Sequence, residues 1–294
     1  MDIQNATNTH TDAEITKNGP LLSVKGLTKI YGEFNENTLN LTGPIFNSNI
    51  CPETGAIVAC ADISFDLFPG EVLGIVGESG SGKSTVVKLL YFDLEKTDGA
   101  AYLKSFQEGE ANFLNISNQK KRYLRNHMMG MVYQNPKDGL NFNFSSGGNI
   151  AEKLLMAGNF HVGNIRERAS GLLEQTEVPS QRMDENPGAF SGGMQQRVQI
   201  AKAIANNPPL IFLDEVTTGL DVSVQAKVLD MIRNLQQELG TAMVVVSHDL
   251  SVIRMLTDRT LVMKNGRIVE QGLTDQILQD PQHAYTQLLV SSML

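Results

Sequence analysis

Eight consecutive residues, Gly77-Glu78-Ser79-Gly80-Ser81-Gly82-Lys83-Ser84, satisfy the pattern G-x-x-x-x-G-K-[ST]. Glycines at that spacing let backbone N–H groups close around phosphate oxygens, and a following helix N-terminus adds partial positive charge. In that chemistry Lys83 reaches the β- and γ-phosphates of a nucleoside triphosphate, and the Ser84 hydroxyl holds Mg²⁺. A chance Gly/Ser turn would need no particular surroundings, whereas this octet follows an apolar run, Val72–Val76, and precedes the helical STVVKLLYF. The motif requires that context. A second candidate is Asp214-Glu215, which ends the apolar run Leu210–Leu213. Two carboxylates just past a buried strand are costly unless something cationic faces them. Asp214 is therefore expected to meet Mg²⁺, and Glu215 to orient or deprotonate an attacking water. Ser191-Gly192-Gly193, before the helical run VQIAKAIA, offers another nest of N–H groups of phosphate size.

These residues need elements to hold them. LLSVKGLTKIY alternates in polarity and predicts a strand reaching Tyr31. Glu33–Val58 is rich in Asn, Gly and Pro and too long for an ordinary connection, so it reads as an insert. Ile63, Phe65 and Leu67 fall on one face of the next strand, Pro69-Gly70 turns, and Val72–Val76 reads as buried strand. From about 100 to 190 strand signal falls and helical pattern dominates, notably in IAEKLLMA and IRERASGLLEQTEV. After Ser191 helices and strands alternate, and the segment past Gly272 is helical. Such alternation predicts an α/β fold with a parallel sheet covered on both faces. Residues 1–20 form a polar tail, and 21–294 read as one domain.

Composition removes several function classes. The chain has 294 residues and 24 Lys+Arg against 32 Asp+Glu, a formal net charge of −8. A nucleic-acid binder held by phosphates needs positive surface, so that class is disfavoured. Cys51 and Cys60 make neither a disulfide framework nor a zinc pattern. No apolar run approaches the ~20 residues of a spanning helix, and the first residues lack a secretory signal. The expectation is a soluble protein in a reducing cytoplasm, without direct membrane insertion.

Together, the phosphate loop, the Ser191 loop and the acidic strand end resemble the ATP-binding-cassette (ABC) ATPase family. The resemblance covers about Leu21 to Leu294 without the insert, and implies a P-loop NTPase (RecA-like) core, an N-terminal antiparallel β subdomain and a helical subdomain. It implies ATP and Mg²⁺ as ligands, with Gly77, Ser79, Gly80, Ser81, Gly82, Lys83, Ser84 and Thr85 around the phosphates. Tyr31 would stack on adenine. Gln134, in MVYQNPKDG, matches the loop that senses Mg²⁺ and water and touches the partner. His248, in VVVSHD, matches the residue that contacts the γ-phosphate. Asp221, in TTGLDVS, matches the loop that crosses a dimer interface. Two paired chains would enclose two ATPs, each between one phosphate loop and the other chain's Ser191, Gly192 and Gly193. The sequence departs from the family at Val216, usually Pro, and at Met194, usually Gln.

PQHAYTQLL, at 281–289, resembles the ending of oligopeptide and nickel importer ATPases. That group includes the ATP-binding subunit of the carbon–phosphorus lyase system for phosphonate breakdown. NPKDGL after Gln134, SSGGNIAEKLLMAG followed by HVGNIRERA, and an ending five residues past Leu289 favour the lyase subunit. The implied partner is then a carbon–phosphorus lyase core complex, and the alternative is a membrane permease. A non-hydrolysing, ATP-gated assembly module is a third reading, disfavoured by the intact Glu215 and His248. The insert is expected to be dispensable for nucleotide chemistry, with Leu39, Leu41, Ile45 and Phe46 as a small docking patch.

Overall fold

The alternation in the first apolar segment produces β1 (Leu22–Tyr31), which pairs antiparallel with β2 (Ile57–Leu67). Ile63, Phe65 and Leu67 are all buried and stand opposite Leu27, Val24 and Leu22, as the period of two requires. These strands belong to a computed structural model that describes residues 19–292. Apart from Gly19 and Pro20, the polar tail expected over 1–20 lies outside the described residues.

Next come β3 (Val72–Val76), α1 (Lys83–Leu90) and β4 (Asp98–Leu103), the last pairing with the free side of β1 to give a sheet ordered β2-β1-β4. After α2 (Asn118–His127) and β5 (Met129–Val132) come a single helical turn at Pro136–Gly139 and then α3 (Ser146–Met156), α4 (Val162–Gln175) and α5 (Gly192–Ala203). The chain continues through β6 (Leu210–Asp214), α6 (Val222–Leu239), β7 (Ala242–Ser247), α7 (Leu250–Leu256), β8 (Arg259–Lys264) and β9 (Arg267–Leu273). It closes with α8 (Thr274–Gln279) and α9 (Ala284–Ser291). The second sheet has the order β5-β6-β7-β3-β8-β9 and is parallel except for the antiparallel edge strand β9.

The segment 100–190 departs from the helical block expected of it, because most of β4 and all of β5 lie inside. β4 is short and Ala-containing, and β5 is only MGMV; neither has β-branched periodicity to announce it. Tertiary pairing makes them strands: β4 against β1, and β5 against β6 in register from Met129↔Leu210 to Val132↔Leu213.

Buried apolar runs in β3, β6 and β7 form the centre of the sheet, with every residue of each strand buried. Phe212 fills the layer beneath α1, its ring edge-on to Tyr91 at a centroid separation of 6.3 Å. The registers align Val76 with Ser247 and Asp214 with Val246. The carboxyl ends of three central strands therefore release the segments beginning at Gly77, Glu215 and His248 from one edge, where α/β sheets bind ligands.

The insert is folded. Asn35 and Thr38 bond each other through backbone and side chain, Gly43 bridges Ser48, and Ile50 bridges Ile57. Cys51, Ala56 and Val58 make a small cluster with Ile30 and Ala61, and Arg267 Nη2 donates to the Leu39 carbonyl at 3.1 Å. Leu41 packs against this cluster, so it is not part of an exposed patch; Ile45 and Phe46 are exposed. Ile57 and Val58, counted with the insert from sequence, begin β2.

Candidate active site

Lys83 opens α1 and is buried, its Nζ donating to the carbonyls of Gly77 at 2.8 Å and Glu78 at 2.9 Å. Desolvation pulls its pKa below the usual lysine value, while the carboxylates of Glu215, Asp214 and Glu78 oppose that shift. An ammonium held by its own loop's carbonyls is a cation already positioned for an anion. Ser81 Oγ is buried without a hydrogen-bond partner, an orphaned polar atom inside a loop shaped for oxygen ligands. Gly82 has φ +102°, and a β-carbon there would collide with the Ala59 carbonyl oxygen. We expect Gly82→Ala to lose at least the ~1–3 kcal/mol that a disfavoured φ costs, and to distort the loop. A thermal melt without nucleotide and a nucleotide titration check both effects; an unchanged melt would contradict this geometry.

The Ser84 hydroxyl donates to Asp214 Oδ1 at 2.6 Å. Burial raises the Asp214 carboxyl pKa, the bond from Ser84 lowers it, and the net direction is upward. A hydroxyl beside a carboxylate is a hard oxygen donor pair of the type Mg²⁺ takes, and a divalent cation would relieve the buried charge. Glu215 stands next, with φ +48°, a backbone setting rare for residues other than glycine. Its Oε2 is reached by Gln134 Nε2 at 3.0 Å, Thr218 Oγ1 at 3.2 Å and His248 Nδ1 at 3.2 Å. Three side chains thus hold one carboxylate oxygen, and no hydrogen bond among the described residues uses the other.

A cavity of about 390 Å³ gathers Ser79, Gly80, Gly82, Lys83, Ser84, Thr85, Gln134 and Glu215. Asp214 and His248 join it through Ser84 and Glu215. Tyr31 does not line this cavity; it is 42% exposed beneath Lys29 Nζ and is the register partner of Ile57. Ser191, Gly192, Gly193 and Asp221 are also outside it. Ser191 Oγ instead caps α5 by accepting from Met194 N at 3.4 Å, and Asp221 precedes α6. These two loops are neighbours, since a β-carbon on Gly193 would meet Val224 Cγ1 at 2.7 Å. Within one chain these two loops therefore lie together outside the phosphate-loop cavity.

Several contributors escaped the sequence reading. Gln199 Oε1 accepts from Tyr133 N at 2.6 Å, and its Nε2 donates to Tyr133 O at 3.1 Å. Gln196, one helical turn earlier, donates to the same carbonyl at 3.3 Å. Both backbone groups of the residue before Gln134 are thereby satisfied past the end of β5. The spacing of 196 and 199 on one helix face was visible, but its target was not. The Glu78 N–H donates to Tyr285 Oη at 3.0 Å, tying α9 to the phosphate loop. Asn49, Ile57 and Ala59 complete the lining of the cavity, so the insert supplies part of its wall. Val216 and Met194, the two family departures, are packing positions: Val216 is buried in the core and Met194 packs against it.

A sequence model of the family described as ABC transporter matches residues 60–218. The chain is 48% identical over 277 residues to the putative phosphonates utilization ATP-binding protein PhnK of Escherichia coli K12, covering 94% of this chain and 99% of that one. It is 36% identical to the dipeptide transport ATP-binding protein DppF of Haemophilus influenzae, over 95% of this chain and 80% of the relative. Among solved structures, the ADP- and Pi-bound dimer of the ATP-binding cassette MJ0796 superposes with TM-score 0.71 at 27% identity, covering 86% of this chain and 98% of that one. The phosphate loop, the acidic strand end and these likenesses agree: the chain belongs to the ABC family of ATPases, with the P-loop NTPase fold, and is an ATP hydrolase.

Proposed function

We propose that the chain binds MgATP at Gly77–Thr85, hydrolyses it as a paired sandwich, and uses the cycle to drive rearrangement of a carbon–phosphorus lyase complex in phosphonate utilisation. The observation that carries the reading is 48% identity across nearly the whole of both chains to a protein named for phosphonates utilization. The site's own residues support the chemistry. Lys83 would leave its loop carbonyls for the β- and γ-phosphates, and the Gly80–Gly82 backbone would cradle their oxygens. Ser84 and Asp214 would hold Mg²⁺, which when bound neutralises charge on the phosphate oxygens. Glu215 would take a proton from the water attacking the γ-phosphorus, with Gln134 and His248 aligning that carboxylate and the water. Ser191, Gly192, Gly193 and Asp221 would complete the site of the other copy, a role that fits their place outside this chain's own phosphate-loop cavity. Tyr31, exposed beside Ile57, would stack on the base.

The partner docks, in this reading, near Gln134 and α3–α4, where Met156, Phe160 and Val162 expose 63%, 74% and 69% of their surface. Among the described residues no helix is long and apolar enough to cross a membrane, which suits a cytoplasmic partner. Loss of the protein should block growth on a phosphonate as sole phosphorus source and leave growth on phosphate and on peptides unchanged. Normal growth on phosphonate with failed uptake of a peptide or metal would instead assign the importer role that the resemblance to DppF carries.

A further inference from the structure

The cavity has two chemically different ends. One lies at the phosphate loop, where Ala59 packs against Gly82; the other is built from Ile57, two residues earlier on the same face of β2, and from Asn49 of the insert. Ile57 is 42% exposed, an apolar surface open to the cavity. Asn49 is half-buried there, and its backbone carbonyl accepts from Val58 N at 2.8 Å. No hydrogen bond among the described residues uses its side-chain amide, unlike Asn35, Asn112, Asn135 and Asn149, whose amides close local turns or caps. A half-buried amide without a partner, beside an apolar wall and opposite a phosphate cradle, has the composition of a base-edge contact.

We propose that the insert makes Asn49 a specificity residue for the nucleotide base, its amide pairing with the adenine edge while Ile57 covers the ring. An amide presents one acceptor and a donor group. Adenine offers the complement, an N6 amino donor beside the N7 acceptor, whereas guanine offers two acceptors, O6 and N7. Asn49 can therefore satisfy both groups on adenine and only one on guanine. The position is fixed by the insert's bridges, Gly43↔Ser48 and Ile50↔Ile57, and by the Arg267–Leu39 bond, not by the ATPase core alone. This inference rests on the nucleotide-site reading above.

Calorimetric titration of the full chain with MgADP and MgGDP tests it without turnover. The wild type should prefer ADP by about fivefold or more, the discrimination expected of a two-bond amide contact. Asn49→Ala keeps the backbone bond to Val58, and should weaken ADP by a similar factor while leaving GDP within about twofold. Asn49→Leu, which keeps the bulk, should behave the same way. If both variants retain the wild-type ADP/GDP ratio, or lose the two nucleotides in parallel, Asn49 does not read the base. A wild type that binds neither nucleotide while its thermal melt is normal overturns the nucleotide-site reading, and this inference with it.

Discussion

Lys83→Ala is expected to lower MgATP affinity by about a hundredfold or more. Hydrogen bonds to charged groups contribute roughly 1.5–3 kcal/mol each, and Lys83 is positioned to make two with phosphate oxygens. No residue lining the cavity replaces it: the other charged side chain there, Glu215, is acidic, and Lys88, whose charge reaches Asp214, is outside the lining. The variant also frees the Gly77 and Glu78 carbonyls that Lys83 now satisfies, so loop collapse must be separated from loss of charge. Lys83→Arg supplies that control: the cation returns, but its planar fork does not fit a pocket built for a compact ammonium, and affinity should recover only in part. Affinity is best followed with a fluorescent nucleotide, since the chain has no Trp. Alanine binding MgATP within tenfold of the wild type would remove Lys83 from the phosphate site.

Glu215→Gln should separate binding from turnover. The amide preserves size and can still accept from one of Gln134, Thr218 or His248, but it cannot take the proton of an attacking water. Phosphate release should fall by about 10²–10⁴, the usual contribution of a positioned base, with MgATP affinity unchanged. Because the nucleotide then persists, the paired form should accumulate and elute as a dimer from size exclusion in MgATP. A variant that binds nucleotide yet remains monomeric across the binding range would defeat the sandwich mechanism. One that hydrolyses at the wild-type rate would move the base elsewhere.

Which parts were legible in the sequence follows from where their causes lie. The phosphate loop was readable because a local requirement, backbone N–H groups closing on an anion, writes itself into adjacent glycines. Asp214 and Glu215 were readable because buried carboxylates after LIFLD need an explanation that ordinary strands do not. β5 was not, because MGMV becomes a strand only when β6 is beside it. The Gln199–Tyr133 contact spans 66 positions and exists only after β5 and α5 have packed. Where the insert would sit was not legible for a related reason. Its polar, Asn-rich text predicts a loop, yet Asn35 and Thr38 spend their polar groups on each other and the loop folds back beside β2. Low apolar content measured its small core correctly and said nothing of where it would sit.

The grip of Gln199 on both backbone groups of Tyr133 has a mechanical consequence. Helix α5 begins next to Ser191 and carries Gln199 about 12 Å along its axis, at 1.5 Å per residue. The helix therefore acts as a rigid lever with a different task at each end. In the proposed pair its first turn would be the surface offered to the opposite copy's ATP, and its third turn clamps the strand end from which the Gln134 side chain reaches this chain's own Glu215. Tilting the lever to meet or leave a neighbour would pull on the segment that aligns the local carboxylate. In the proposed pair, that linkage would gear the two nucleotides together, each cycle answering to the other.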